Sequence, residues 1–227
     1  KAGVVSRTLL ADKIVLDASL TLGLPPHVTA ATGIDAMVHA IEAYTSKRLK
    51  NSLSDMLARE ALRLLAGNIV VAVKQGDNLD ARGSMLLGAM LAGQAFANAP
   101  VAAVHALAYP LGGNYHIPHG LSNSLVLPHV IRFNGPSAGD LYKEIAPLIM
   151  PGKSLPDDAL VVTEMLAEHF LSLAEDLGLQ TSLSQMNVPE GDLPKLAEEA
   201  MLQQRLLINN PREVSVDDSL EIYRQAY

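Results

Sequence analysis

Gly33-Ile34-Asp35-Ala36-Met37-Val38-His39-Ala40-Ile41-Glu42 decides how the rest of the chain is read. Ile34, Met37, Val38 and Ile41 recur at intervals of three and four residues, the spacing that lines one face of an α-helix, and the pattern holds from about Thr29 to Thr45. Asp35 and His39 then stand one turn apart on a common face, able to offer an oxygen and a nitrogen to one divalent cation. Glu42 lies on the same face, placed to accept the His39 ring N–H. An Asp and a His at this spacing are more often a solvated ion pair than a ligand pair. These ten residues therefore establish a helix and only raise the question of a metal.

Towards the N-terminus, Ile14-Val15-Leu16 is a short β-like run followed by Asp17 and by Leu24-Pro25-Pro26, which no helix interior accepts. Residues 1–25 read as an extended connector, and residues 26–227 as one helical domain. Downstream, Asn51, Ser52, Ser54 and Asp55 offer caps for a helix through Leu57, Leu62 and Leu65. Ile69-Val70-Val71-Ala72-Val73 is β-branched enough for a strand, but its continuity with that helix and the stop at Gly76-Asp77 favour a buried helix end. Residues 83–99, rich in Gly and Ala, predict a central, deeply packed helix. Pro110, Gly112, Gly113, Pro118 and Gly120 predict a loop, with further breaks at Pro136 and Pro151-Gly152. Helical rhythm returns from Ala159 to Leu177 ahead of Gly178, from Leu193 to about Leu206 behind Asp192, and from Leu220 to Tyr223 behind Ser215 and Asp218. The sum is an all-α chain of about eight helices with no parallel sheet.

Composition narrows the chemistry. With 227 residues, 49% hydrophobic and 18% charged, the chain has material for a sizeable core. Seventeen basic against 24 acidic residues give a net charge of −7 with no basic stripe, which argues against a nucleic-acid partner. The absence of Cys removes disulfides, thiolate nucleophiles, iron–sulfur clusters and cysteine-ligated zinc. A metal here needs His and carboxylate ligands. No signal-peptide pattern follows Lys1 and no apolar run reaches the roughly 18 residues of a membrane span, so a soluble cytoplasmic protein without membrane contact is expected. A first residue of Lys rather than Met hints at a fragment or a processed product.

Four of the seven His residues, His105, His116, His119 and His129, crowd into an apolar stretch with Leu107, Leu111, Ile117, Leu121 and Leu125. Imidazoles among core residues either satisfy their ring nitrogens locally or act as ligands. His116 and His129 fit the first description better. A helix carrying His105, a reversal at Gly112-Gly113 and His119 beyond it can fold two imidazoles onto one point. One carboxylate with three imidazoles makes a sulfur-free donor set suited to Fe²⁺, Zn²⁺, Mn²⁺ or Ni²⁺.

Thr29 to Tyr44, His105-Ala106-Leu107-Ala108-Tyr109-Pro110-Leu111-Gly112-Gly113, Ile117-Pro118-His119-Gly120, Leu127-Pro128-His129-Val130 and Asn210-Pro211-Arg212-Glu213 together resemble the iron-containing alcohol dehydrogenase family. The resemblance covers essentially the whole chain. It implies the helical C-terminal domain of the dehydroquinate-synthase-like fold, with Asp35, His39, His105 and His119 as metal ligands. It also implies an N-terminal α/β domain holding most of NAD or NADP, of which this chain shows no Gly-rich signature. Lys1 resembles a lysine near the end of that domain, and Leu20 lies where the family's linker brushes the nucleotide; both are cofactor-binding candidates. Several members carry a His near the nicotinamide where this chain has Tyr109. A phenol ordinarily titrates near roughly 10, so Tyr109 suits hydrogen-bond donation or pocket shaping better than proton abstraction at neutral pH.

The resemblance implies a metal-dependent alcohol dehydrogenase or aldehyde reductase acting on a small alcohol or aldehyde with NAD(P). The metal is Fe²⁺, or alternatively Zn²⁺ or another divalent cation, and the protein a homodimer or larger homo-oligomer. A glycerol-dehydrogenase-like or dehydroquinate-synthase-like enzyme, and a helical metal-binding fragment without turnover, remain as alternatives. A helical phosphohydrolase is not supported, because it needs an adjacent His-Asp dipeptide and none occurs.

Overall fold

A computed structural model of the protein describes residues 6–9 and 11–227. Lys1 lies outside the described residues. Nine α-helices and no strand occur among them: α1 Pro26–Thr45, α2 Ser52–Lys74, α3 Leu79–Asn98, α4 Ala103–Asn114, α5 His119–Ile149, α6 Ala159–Asp176, α7 Leu193–Met201, α8 Gln204–Leu207 and α9 Val216–Gln225. The β-like run at Ile14–Leu16 forms no strand, because no partner edge exists for it among the described residues. Those side chains are exposed, and the next ordered piece is a 3₁₀ turn over Ala18–Thr21 capped by Asp17.

Local sequence explains most boundaries. Pro26 opens α1 at a position where a missing N–H costs nothing. Asn51 and Ser54 form a reciprocal capping box at the start of α2, and Ser215 and Asp218 another at α9. The β-branched run 69–73 is the end of α2, with Ile69, Ala72 and Val73 buried. Gly178 follows α6 with φ of +74°, the left-handed conformation that ends helices.

Helix α1 packs against α2, α3 and α5, and α5 in turn packs against α4 and α6. This centre differs from the sequence expectation for residues 83–99. Only Ala81, Arg82, Gly88, Ala92 and Ala95 of α3 are buried, so α3 lies on the outside of the bundle. Its small residues serve one face: a Cβ on Gly88 would meet Leu65 Cγ of α2 at 2.8 Å. The deep helix is α5, with 20 buried residues.

Proline was also a poor guide. Pro110 does not end α4, which runs on through Gly112 and Gly113 to Asn114, and Pro128, Pro136 and Pro147 all lie inside α5. Each removes one ladder bond, yet each segment is held by burial, as with Leu111 at 0% exposure. In α4 the Tyr223 hydroxyl donates to Leu107 O at 2.6 Å, next to the bond that Pro110 eliminates. The reversal falls at Tyr115–Pro118, where His116 has φ of +55° and is exposed. The helix expected from Leu193 to Leu206 is broken at Leu202-Gln203 into α7 and α8. No single helix among the described residues is long and apolar enough to cross a membrane.

His129, on α5, is 6% exposed and its Nδ1 has no hydrogen-bond partner. Burial, seconded by Arg132, pushes its pKa down to about 4 from 6.5. The unfolded chain takes up this proton below about 6.5 and the native one only near 4, so stability is present above that window and is lost as pH falls through it. The full span corresponds to roughly 3 kcal/mol. His129→Leu is expected to lose less stability than the wild type between pH 7 and pH 4.5 in urea titrations. Equal losses would show that this imidazole does not drive acid sensitivity.

Candidate metal centre

Three helices meet at the site. Asp35 and His39 come from α1, His105 from the first turn of α4, and His119 is the first residue of α5. Asp35 Oδ1 lies 3.9 Å from His39 Nε2, 3.8 Å from His105 Nε2 and 3.9 Å from His119 Nε2. One ligand atom from each of the four residues lies within 4.8 Å of the others. Tetrahedral donors at bonds near 2.1 Å sit about 3.4 Å apart, so a modest contraction around a cation completes the set. One carboxylate and three neutral imidazoles leave a divalent cation with net positive charge, suited to an anionic oxygen.

Glu42 governs His105 rather than His39. Its Oε2 lies 2.6 Å from His105 Nδ1, and its Oε1 accepts from Val104 N at 2.7 Å. The expectation that Glu42 serves His39 fails because α4 begins against this turn of α1. No side chain caps α4 from its own N-cap residue, Ala102, and Glu42 supplies the missing acceptor from α1. The orphan amide, the positive end of the α4 dipole and the imidazole N–H together stabilise a carboxylate that is only 4% exposed. With Nδ1 donating to Glu42, His105 presents its Nε2 lone pair to the cluster.

His39 is sandwiched. Its ring stacks on Phe96 of α3 at 4.7 Å and on His105 at 4.8 Å. Burial pushes its pKa down to about 4 despite the opposing pull of Asp35, which keeps the ring neutral and its lone pair available at neutral pH. The cluster is sealed at one end and open at the other: the His105 side chain is 4% exposed and that of His119 32%. A purely structural site would be closed all round.

Tyr109, one turn beyond His105, brings its ring to 6.0 Å from that of His119, at the edge of the site. Leu20, on the 3₁₀ turn, is 83% exposed and does not join the cluster. Phe96 and Asn123 escaped the sequence reading. Asn123 follows His119 by four residues, the same one-turn spacing that links Asp35 to His39, and that spacing was the available signal.

The family model for the Fe-containing alcohol dehydrogenase family, C-terminal, matches residues 29–227. The chain belongs to this family. A 1,3-propanediol dehydrogenase of Citrobacter freundii is 40% identical over 225 residues, covering 99% of this chain and 57% of that protein. The crystal structure of a 1,3-propanediol oxidoreductase superposes with a TM-score of 0.88 at 40% identity, over 93% of this chain and 55% of that one. The structure of a sulfoacetaldehyde reductase from Bifidobacterium kashiwanohense in complex with NAD⁺ gives a TM-score of 0.80 at 28% identity, over 92% and 53%. The chain thus spans about half the length of the relatives it matches. As a member of the Fe-containing alcohol dehydrogenase family it has the all-helical architecture expected from the sequence, among the described residues.

Proposed function

We propose that this protein is a metal-dependent alcohol dehydrogenase, or in reverse an aldehyde reductase, exchanging hydride between a small alcohol or aldehyde and NAD(P). Residues 26–227 supply the cation half of the site and residues 1–25 the connector towards a nucleotide-binding part. The observation that carries this reading is the convergence of Asp35, His39, His105 and His119, from three helices, on one partly open point. The complex of a relative with NAD⁺ and the diol and aldehyde substrates named for others support the cofactor and substrate classes.

Asp35, His39, His105 and His119 would hold the cation, Fe²⁺ or Zn²⁺ by their donor chemistry. When bound, the cation supplies Lewis acidity towards an alcohol or carbonyl oxygen. The remaining work falls to the protein. Glu42 fixes the His105 tautomer and orientation, so this imidazole needs no reorientation when the site fills. Phe96 covers His39 and excludes water from that side. Tyr109, beside His119 at the open edge, shapes the substrate entrance and offers a hydroxyl donor. Lys1 and Leu20 belong to the nucleotide side of the same reading.

The test is direct. Metal-free protein, joined at its N-terminus to the nucleotide-binding part of a relative and reloaded anaerobically with one equivalent of Fe²⁺ or Zn²⁺, is given NAD⁺ or NADP⁺ with 1,3-propanediol. Formation of reduced nucleotide that stops on chelation and returns on reloading is the expected result. Uptake of the cation without any turnover of short alcohols or aldehydes would leave a metal-binding module and remove the enzymatic reading.

A further inference from the structure

Asp35 Oδ1 and the ring nitrogens of His39, His105 and His119 converge at the candidate metal centre, and lone pairs turned inward there repel one another unless a donor or a cation lies among them. Asn123 meets that need within the protein. Its side-chain Nδ2 lies 2.5 Å from Asp35 Oδ1 and 3.3 Å from the Nε2 atoms of both His105 and His119. The amide nitrogen therefore lies within hydrogen-bond reach of three of the four atoms that would grip a cation, with two hydrogens to share among them. Asn123 is fully buried, at 0% exposure.

The opposite edge of the same amide is unsupported. Asn123 Oδ1 is buried with no hydrogen-bond partner. Nothing on that side fixes which edge of the amide faces inward, so the charge at the ligand cluster sets its orientation. With only acceptors at the centre, the NH₂ edge is favoured. With a cation at the centre, the same NH₂ is repelled, and a half-turn about the last side-chain torsion exchanges it for the carbonyl oxygen.

We propose that Asn123 is a positioning residue for the cation site, presenting its donor edge to the ligand atoms before a cation binds and its oxygen edge to the cation afterwards. The amide holds Asp35 and the imidazoles of His105 and His119 together in the empty state without a permanent charge. It then yields to the cation at the cost of a torsional rotation rather than a rearrangement of helices. The inference rests on the cation reading of the site given above.

The test compares wild-type protein with Asn123→Asp, which is nearly isosteric and has an oxygen on both edges, and Asn123→Leu, which has neither edge. Zn²⁺ affinity is measured by chelator competition, and thermal midpoints are recorded in excess chelator and in saturating Zn²⁺. For Asn123→Asp the chelated midpoint is expected to fall by several degrees while Zn²⁺ binds at least as tightly as to wild type, so the gap between the two midpoints widens. Unfolding of this variant on chelation, with the wild type still folded, is the extreme form of the same result. Asn123→Leu should bind Zn²⁺ about tenfold or more weakly. A purely structural asparagine would give Asn123→Asp equal falls in both midpoints, or a loss of affinity matching that of Asn123→Leu, and either outcome overturns the proposal. Wild-type protein that takes up no Zn²⁺ would instead remove the cation reading itself.

Discussion

Gly120→Ala is expected to destabilise the fold and to disrupt the proposed cation site in one step. Gly120 follows His119 in the first turn of α5, where that helix runs against α1. A Cβ there would lie 2.4 Å from Ala31 O, 2.7 Å from Ala31 C and 3.2 Å from Thr32 N. These are backbone atoms of α1, in the turn that precedes Asp35, and no side-chain rotamer can relieve the contact. Replacing a helical Gly with Ala ordinarily gains roughly 0.5–1 kcal/mol. Overpacking a well-filled contact costs about 1–3 kcal/mol or more, and with main chain on the far side the upper part of that range applies. The clash wins. For a domain of this size, a net loss near 2 kcal/mol lowers the thermal midpoint by roughly 4–8 °C. Relief requires α1 and α5 to move apart, carrying Asp35 and His39 away from His119, so Zn²⁺ affinity should fall as well. Calorimetry and chelator competition on Gly120→Ala check both parts. A midpoint at or above that of the wild type would mean that the two helices are not in the close contact described.

Glu42→Leu is the second substitution with a large expected effect. It leaves two buried donors, Val104 N and His105 Nδ1, without the acceptors they have at 2.7 and 2.6 Å. At about 1–3 kcal/mol for each unsatisfied group, the loss is of order 2–6 kcal/mol, reduced by the desolvation that a neutral Leu avoids. Glu42→Gln keeps one good acceptor and should cost markedly less. Cation affinity should respond differently from stability. Without a carboxylate on Nδ1, His105 loses both its fixed tautomer and part of its basicity, so both variants are expected to bind Zn²⁺ roughly 10–100-fold more weakly. Urea unfolding in chelator separates the stability term from the binding term. Wild-type affinity in Glu42→Gln would show that His105 needs no such support.

Features that depend on spacing along the chain were legible in the sequence. Helix α1, the capped start of α2 among residues 51–55, the capping box at Ser215 and the helix ends at Lys74 and Asp176 follow from residues within a few positions of one another. Of the four ligand candidates, Asp35 and His39 follow from one-turn spacing and His105 and His119 from a cluster of His in an apolar stretch, with the full set implied by family resemblance. Features set by packing were not legible. Glu42 was paired with His39 because both lie on α1, whereas its partner is decided by where α4 abuts that helix. The Gly and Ala content of α3 permits close approach but gives no direction, and only one side of that helix is covered. Pro110 and Pro136 read as breaks because their local cost is visible in a sequence, while the burial that offsets it belongs to the tertiary structure.

The prolines of α5 have a mechanical consequence. Thirty-one residues of uninterrupted helix would form a beam about 46 Å long, stiff enough to relay a displacement from one end to the other. Pro128, Pro136 and Pro147 instead leave the carbonyls of Ser124, Arg132 and Lys143 without their ladder partners, dividing the beam into spans joined by softer joints. A small displacement of the first turn, at His119, is then absorbed in the leading span, and the far end of the helix, packed against α6, need not follow.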